Sequence, residues 1–156
     1  MNRFIKQAKG FTLIEILVVI GIIAILAAVV IIAINPARQF AQARNSQRQA
    51  NLDTILNGIG QDLADNKGTF GGVCASALIT TPMATSSIDN GASGTGKDFS
   101  CLSPTYIPTF PSDPTVTSGV ATGYEIVVEA SGRIKLCAPS SVEVALGSPV
   151  ELCVRR

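Results

Sequence analysis

The residues from Phe11 to Ile34 form an apolar run that contains one charged side chain, Glu15. As a helix that rises ~1.5 Å per residue, this run is about 36 Å long, enough to cross the hydrocarbon core of a bilayer. A carboxylate inside a membrane helix is costly unless it has a partner, so Glu15 is predicted to have a functional role. The simpler alternative is that Glu15 lies near the lipid headgroups and reaches water.

A basic leader precedes the apolar run. Arg3, Lys6 and Lys9 lie in the first nine residues, which contain no acid. By the positive-inside rule, this leader stays in the cytoplasm and the C-terminal part crosses the membrane. The apolar run is longer than the ~7–15 residues of a conventional secretory signal, and the small-residue triplet at Ala41–Ala43 lies well beyond its end. A plain single-pass anchor is therefore the better of the two simple alternatives.

The composition excludes several classes of function. The chain of 156 residues has room for one soluble domain beside the apolar helix, and it contains no histidine. Catalysis by His-activated nucleophiles and His-ligated metals are therefore excluded. Without the three leader cations the net charge falls from +1 to −2 (1 − 3), which argues against a general nucleic-acid or anionic-lipid binder. The Gly94–Lys97 segment lacks the spacing of a phosphate-binding loop, so neither an enzyme nor a cofactor is predicted.

The segment Lys9-Gly10-Phe11-Thr12-Leu13-Ile14-Glu15, behind a short basic leader, resembles the class III signal of bacterial type IV prepilins. The resemblance is specific over residues 9–34, and the short leader and Phe11 are typical of the type IVa-like branch and the related pseudopilins. It implies that a prepilin peptidase cleaves between Gly10 and Phe11 on the cytoplasmic face, and that the new Phe11 amine is N-methylated. It also implies that Glu15 is needed for filament assembly.

The residues agree with this processing chemistry. Gly10 has no side chain, so a peptidase active site can approach the backbone closely. Cleavage creates a positively charged amine at Phe11, and a carboxylate in a low-dielectric helix bundle is tolerable when it is paired. The sequence therefore predicts that Glu15 of one subunit meets the Phe11 amine of a neighbour, or its own, in a filament core.

The helix is predicted to continue past an interruption at Asn35-Pro36, because proline removes a backbone donor. Gly68 is predicted to cap its C-terminal end. Along the helix after Pro36, basic residues are followed by acidic ones. They are predicted to form either a solvated face or contacts between staggered subunits. An apolar stripe at helical spacing consists of Leu52, Ile55, Leu56, Ile59 and Leu63. The charged residues are Arg38, Arg44, Arg48, Asp53, Asp62 and Asp65.

The predicted fold class is α+β, with a long N-terminal helix packed on a small antiparallel sheet of three or four strands, as in the pilin fold. Residues 85–96 are predicted to be an exposed loop, and residues 111–114 a proline-rich turn. Alternating patterns predict strands at 124–129, 133–137, 142–144 and 150–154. The predicted segments are a cleaved leader (1–10), a membrane or filament-core helix (11–34), an amphipathic helix (35–67), a loop connection (68–123) and the sheet (124–156).

The four cysteines, Cys74, Cys101, Cys137 and Cys153, are predicted to form disulfides. There is no Cys-x-x-Cys pair and no histidine, so a zinc site is not predicted. The translocated part meets an oxidising compartment, where an even cysteine count favours disulfides. Four cysteines allow three connectivities. The pairs Cys74–Cys101 and Cys137–Cys153 are favoured because each closes a local loop, and free thiols are the alternative.

The resemblance implies a structural subunit, a major or minor pilin, of a type IV pilus that serves adhesion, motility or DNA uptake. The precursor would be a single-pass protein of the cytoplasmic membrane, and the assembled homo-oligomeric filament would be extracellular. Its partners would be the prepilin peptidase and the pilus assembly machinery, with nucleic acid a ligand only of the whole filament. The alternatives are a pseudopilin of a type II secretion or competence system and a membrane-anchored binding module that does not polymerise.

Overall fold

The computed structural model describes residues 10–70, 82–91, 95–147 and 150–156. The chain divides into two units that meet between Gln39 and Phe40. The first unit contains helix α1, Leu13–Ile34, and none of its residues is buried. Within the described residues, α1 is the helix that is long and apolar enough to cross a membrane.

Helix α1 ends at a backbone break that the sequence predicts. Asn35 adopts the left-handed conformation, with φ of 45°. Asparagine tolerates this conformation, and Pro36, which lacks an N–H group, suits the first turn of the helix that follows. Helix α2 therefore begins at once and spans Pro36–Asp65. The predicted interruption at Asn35-Pro36 is confirmed.

The second unit contains a five-stranded sheet. Its strands are β1 (Met83–Asp89), β2 (Lys97–Asp98), β3 (Ala121–Val128), β4 (Ile134–Ala138) and β5 (Leu152–Arg155). The spatial order is β2-β1-β3-β4-β5, with β1 and β2 parallel and every other pair antiparallel. Helix α2 packs on this sheet, so the predicted α+β, pilin-like fold class is confirmed.

The core between α2 and the sheet follows the sequence periodicities. Leu52, Ile55 and Ile59 on α2 are fully buried, as the apolar stripe predicts. Alternate residues of β3 face them, so Tyr124 and Ile126 are buried while their neighbours along the strand are half-exposed. Burying such side chains, at about 1.5–3 kcal/mol each, is the main force that holds the helix on the sheet.

Two predicted segments of the second unit are wrong. The loop predicted at 85–96 begins instead as strand, because residues 85–89 belong to β1, which pairs with β3 from Met83 to Asp89. Only Ile88 and Asp89 of β1 are buried, and most of its other residues are polar. The strand therefore lacks the alternation of apolar and polar residues by which a strand is usually predicted. The strand predicted at 142–144 is also absent, because two 3-10 helices, Pro139–Ser141 and Val144–Leu146, occupy this region.

Two element boundaries also differ from their predictions. The first predicted strand begins at Ala121 rather than at residue 124. At the end of α2, Lys67 has a left-handed φ of 57°, and Gly68 after it also has a positive φ, of 83°. The Gly68 N–H donates to the Leu63 carbonyl at 2.7 Å, which is the six-to-one bond of a Schellman ending. Gly68 is therefore one position beyond the predicted C′ site.

A disulfide joins the last two strands. Cys137 on β4 and Cys153 on β5 are register partners, with their Cα atoms 4.2 Å apart. Cys101 is also disulfide-bonded, and Cys74, the partner predicted for it, lies outside the described residues. Cys137, Glu151 and Cys153 also have close ligand atoms, but oxidised sulfurs offer no thiolate to a metal.

Removing this disulfide is expected to weaken the second unit. Replacing Cys137 and Cys153 together by serine should lower the free energy of unfolding by ~3 kcal/mol, because the bridge restricts the unfolded chain. Urea unfolding of the full chain in detergent micelles, followed by circular dichroism, measures the change. An unchanged urea midpoint would contradict a stabilising role for the bridge.

Candidate processing and assembly site

The predicted cleavage point lies in non-helical chain ahead of α1. Gly10 and Phe11 are both exposed, and 79% of Phe11 is accessible. A Cβ atom added to Gly10 would meet no atom within 4 Å. The fold itself therefore does not require glycine here, so a requirement for glycine would come from an approaching enzyme. Residues 1–9 of the predicted leader lie outside the described residues.

Glu15 lies in the first turn of α1 and is exposed. It forms a capping box with Thr12, because the Glu15 N–H donates to Thr12 Oγ1 at 3.3 Å and the Thr12 N–H donates to Glu15 Oε2 at 3.5 Å. The position is favourable for a carboxylate, since the N-terminal end of a helix carries partial positive charge. The spacing Thr-x-x-Glu is the sequence signal for this cap, which was not among the features predicted from the apolar run.

The structure places the predicted site residues within one short segment. Gly10, Phe11 and Glu15 lie in the last extended residues before α1 and in its first turn. Cleavage before Phe11 would create an amine one residue away from the Thr12 N–H that holds the Glu15 carboxylate. A positive amine and a negative carboxylate would then lie at the start of one helix. Such groups can form an ion pair, and they do not resemble a catalytic site.

The charged residues of α2 form the predicted solvated face only in part, and the alternative of contacts between staggered subunits stays a prediction. Arg48 is fully buried. Its Nε donates to Asp113 Oδ2 at 2.7 Å and its Nη2 donates to Asp113 Oδ1 at 3.1 Å, a two-point ion pair. Asp62 is also fully buried. Arg38, Asp53 and Asp65 are exposed, so the prediction of a solvated face holds only for them.

Glu143 joins the same ion-pair network from the segment that leads to β5. Its Oε1 accepts from Arg48 Nη1 at 2.5 Å and from Arg44 Nε at 2.8 Å. Arg44 Nη2 donates to the other carboxylate oxygen. Asp113 is held in addition by the backbone N–H of Thr115 at 2.8 Å. We call Arg44, Arg48, Asp113 and Glu143 the arginine network, and it joins α2 to two separate loops.

The sequence signal for this network lies in the proline turn at residues 111–114. Two prolines flank Asp113 and restrict the backbone on either side of it. Pairing Asp113 with Arg48 needs knowledge of which helical face meets that turn, however, and the sequence analysis did not supply it. The network was therefore missed.

The network lowers the pKa of both carboxyl groups. The hydrogen bond from Arg44, assisted by Arg48, lowers the pKa of Glu143 from 4.5 to about 2. Burial raises the pKa of Asp113, but hydrogen bonds from Arg48 and Thr115 outweigh it, so the net pKa is lowered. Both groups therefore favour the charged form in the folded state.

These pKa values predict that acid destabilises the second unit. A carboxyl group whose folded pKa is depressed contributes stability above its unfolded pKa and loses it as the pH falls through the folded pKa. The urea midpoint of the full chain in micelles should therefore decrease as the pH falls from about 5 towards about 2. Glu143→Gln should flatten this dependence, while a midpoint in the unmodified chain that does not change over this range would contradict the assignment.

A family model described as the prokaryotic N-terminal methylation motif matches residues 5–33. No curated protein and no solved structure matches the chain. The matched residues include the predicted cleavage point and Glu15, and they cover nearly all of the apolar run that forms α1. Residues 5–33 therefore match the class III signal peptide of type IV pilins.

Proposed function

We propose that this chain is a structural subunit, a major or minor pilin, of a type IV pilus used for adhesion, motility or DNA uptake. The observation that carries the proposal is the methylation motif at residues 5–33, which overlaps a membrane-length helix with no buried residue. Such a helix needs either lipid or other apolar helices around it. The membrane would surround the helix with lipid in the precursor, and the filament core would surround it with other apolar helices after assembly.

The proposed order of events follows from the site. The precursor is anchored in the cytoplasmic membrane by α1, with its C-terminal part outside. The prepilin peptidase cuts after Gly10, and the new amine of Phe11 is methylated. The assembly machinery then moves the subunit into a helical homo-oligomer, where the Glu15 carboxylate pairs with a Phe11 amine.

Glu15 supports polymerisation over a lone membrane anchor. A single-pass anchor gains only a helix cap from this carboxylate, because the capping box with Thr12 is its local contact. Its Thr12 contact is long, at 3.5 Å, and the side chain is exposed, so the carboxylate remains free to accept a charged donor. A protonated amine is the stronger partner, because it adds the attraction between two opposite charges to the hydrogen bond.

Deletion of the coding sequence, followed by electron microscopy of the cell surface, tests this function. Loss of surface filaments, restored by the complete chain, is the expected result. Normal filaments without the chain, combined with loss of protein secretion, would identify it as a pseudopilin. Processed chain that remains a membrane-bound monomer in cells that make all other pilus components would indicate a non-polymerising binding module.

A further inference from the structure

The large apolar side chains that the second unit exposes lie close together. Within its described residues they are four in number, and three of them fall in the short segment 142–150. Single exposed apolar residues are ordinary on a protein surface, but in the described part of this unit they are grouped. They are Phe40, Val142, Val144 and Val150, with exposed fractions of 66%, 47%, 92% and 82%. We call them the apolar patch.

The arginine network brings Phe40 next to the valines. Glu143 lies between Val142 and Val144 in the chain and pairs with Arg44. Arg44 is one helical turn after Phe40 on α2, and side chains four residues apart on a helix are neighbours, with Cβ atoms ~5–6 Å apart. The patch therefore lies at the end of the second unit where the chain enters from α1.

Hydrogen bonds hold both ends of the segment that carries the valines. Ser141 is fully buried, and its carbonyl accepts a hydrogen bond from Asn45 Nδ2 at 3.1 Å. Its hydroxyl accepts a hydrogen bond from the Leu152 N–H at 2.7 Å, which holds the two ends of the segment together. Exposed apolar side chains on a fixed backbone bind without a large cost of ordering.

The length of the connecting chain decides what the patch can reach. Phe40 follows Ile34, the last residue of the membrane-length helix, by six residues, which span at most about 20 Å of extended chain. In the anchored precursor, the patch is thus tethered near the bilayer surface. Aromatic and aliphatic side chains beside basic residues are typical of segments that lie in the membrane interface, and Arg38 and Arg44 are the nearby basic residues.

We propose that the apolar patch docks on the lipid bilayer in the precursor, with Phe40, Val142, Val144 and Val150 entering the boundary between headgroups and acyl chains. The docking holds the second unit against the membrane until the subunit leaves for assembly. This inference rests on the membrane anchoring of the precursor and not on its polymerisation. Because the chain without its leader has net negative charge, the contact is apolar and does not require anionic lipid.

A tryptophan reporter tests the docking, because the chain contains no tryptophan. Val144→Trp is placed in the full precursor, which is reconstituted at low protein density in phosphatidylcholine vesicles. Val150→Trp is a second reporter of the same patch. The matched control is Ala130→Trp, in the exposed turn between β3 and β4. The control lies far from the patch. Its turn adjoins Ile134, which is hydrogen-bonded to Arg156, and Arg156 contacts Asn57 on α2. Asn57 is about 18 Å along α2 from Asn45, which contacts Ser141 beside the patch.

The expected result is a blue-shifted emission from both patch reporters, quenched by lipids brominated ~5–10 Å below the headgroups, with neither effect in the control. Patch reporters that emit like the control and are quenched by aqueous iodide would overturn the proposal. A blue shift without quenching by brominated lipid would overturn it too, because it would show that a second copy of the chain covers the patch. Loss of filaments in cells would not affect any of these outcomes.

Discussion

Replacing Asp113 by alanine is expected to lower the free energy of unfolding of the second unit by about 3–5 kcal/mol. Arg48 is fully buried, and Asp113 accepts two of its hydrogen bonds, at 2.7 and 3.1 Å. The variant leaves a charged guanidinium with only part of its partners in a buried site. Since small domains have a total stability of about 5–15 kcal/mol, this single change brings the unit close to unfolding.

A double variant separates the charge effect from the loss of packing. Arg48→Met combined with Asp113→Leu replaces the pair by apolar side chains and should regain most of the stability, because no unpaired charge remains. Asp53→Ala is the matched control, since Asp53 is an exposed acid on α2, the helix that carries Arg48. It should change the free energy of unfolding by less than ~0.5 kcal/mol. Urea unfolding of each full-length variant in micelles measures the differences. Equal midpoints for Asp113→Ala and Asp53→Ala would contradict the structural role of the network.

Replacing Glu15 by leucine is expected to abolish filament assembly while leaving the precursor stable in the membrane. Leucine favours the bilayer more than a carboxylate does, so insertion should not suffer. The variant has no charge to pair with the amine of Phe11. A loss of ~1.4 kcal/mol or more at each subunit contact would reduce association at least tenfold per contact, and the loss repeats along the filament.

Two companion variants show whether charge or capping is responsible. Glu15→Gln keeps a side chain that can accept from the Thr12 N–H but removes the charge, so it should fail to assemble as well. Thr12→Ala removes the hydroxyl of the capping box and keeps the carboxylate, so it should still assemble, with a helix start weakened by about 1 kcal/mol. Filament yield by electron microscopy, compared with subunit abundance in the membrane, measures each effect. Filaments of Glu15→Gln at normal yield would contradict the ion pair.

The sequence was sufficient wherever one residue pattern decides the structure. The apolar run predicts α1, Pro36 predicts the interruption after it, and the stripe of Leu52, Ile55 and Ile59 predicts the face of α2 that packs on the sheet. These features depend on periodicity and backbone chemistry within short stretches of chain. The processing segment is similar, since its motif is a continuous stretch.

The sequence was insufficient where distant residues determine the outcome. Strand β1 has few apolar residues, and its structure comes from pairing with β3, which lies more than thirty positions away (121 − 83 = 38). Arg48 looked like a surface charge because its burial depends on Asp113 and Glu143 in two loops. A buried charge is stable only when such partners exist, and a helical pattern carries no information about them.

The central claim is that the chain is a prepilin whose Phe11 becomes the first residue of the working subunit. Intact-mass and N-terminal peptide mass spectrometry of the protein, recovered from membranes and surface filaments of peptidase-containing cells, tests this claim most directly. We predict a chain that lacks residues 1–10 and carries one added methyl group on the Phe11 amine. A chain in assembled filaments that retains Met1, or one that is cut at any other residue, would contradict the account.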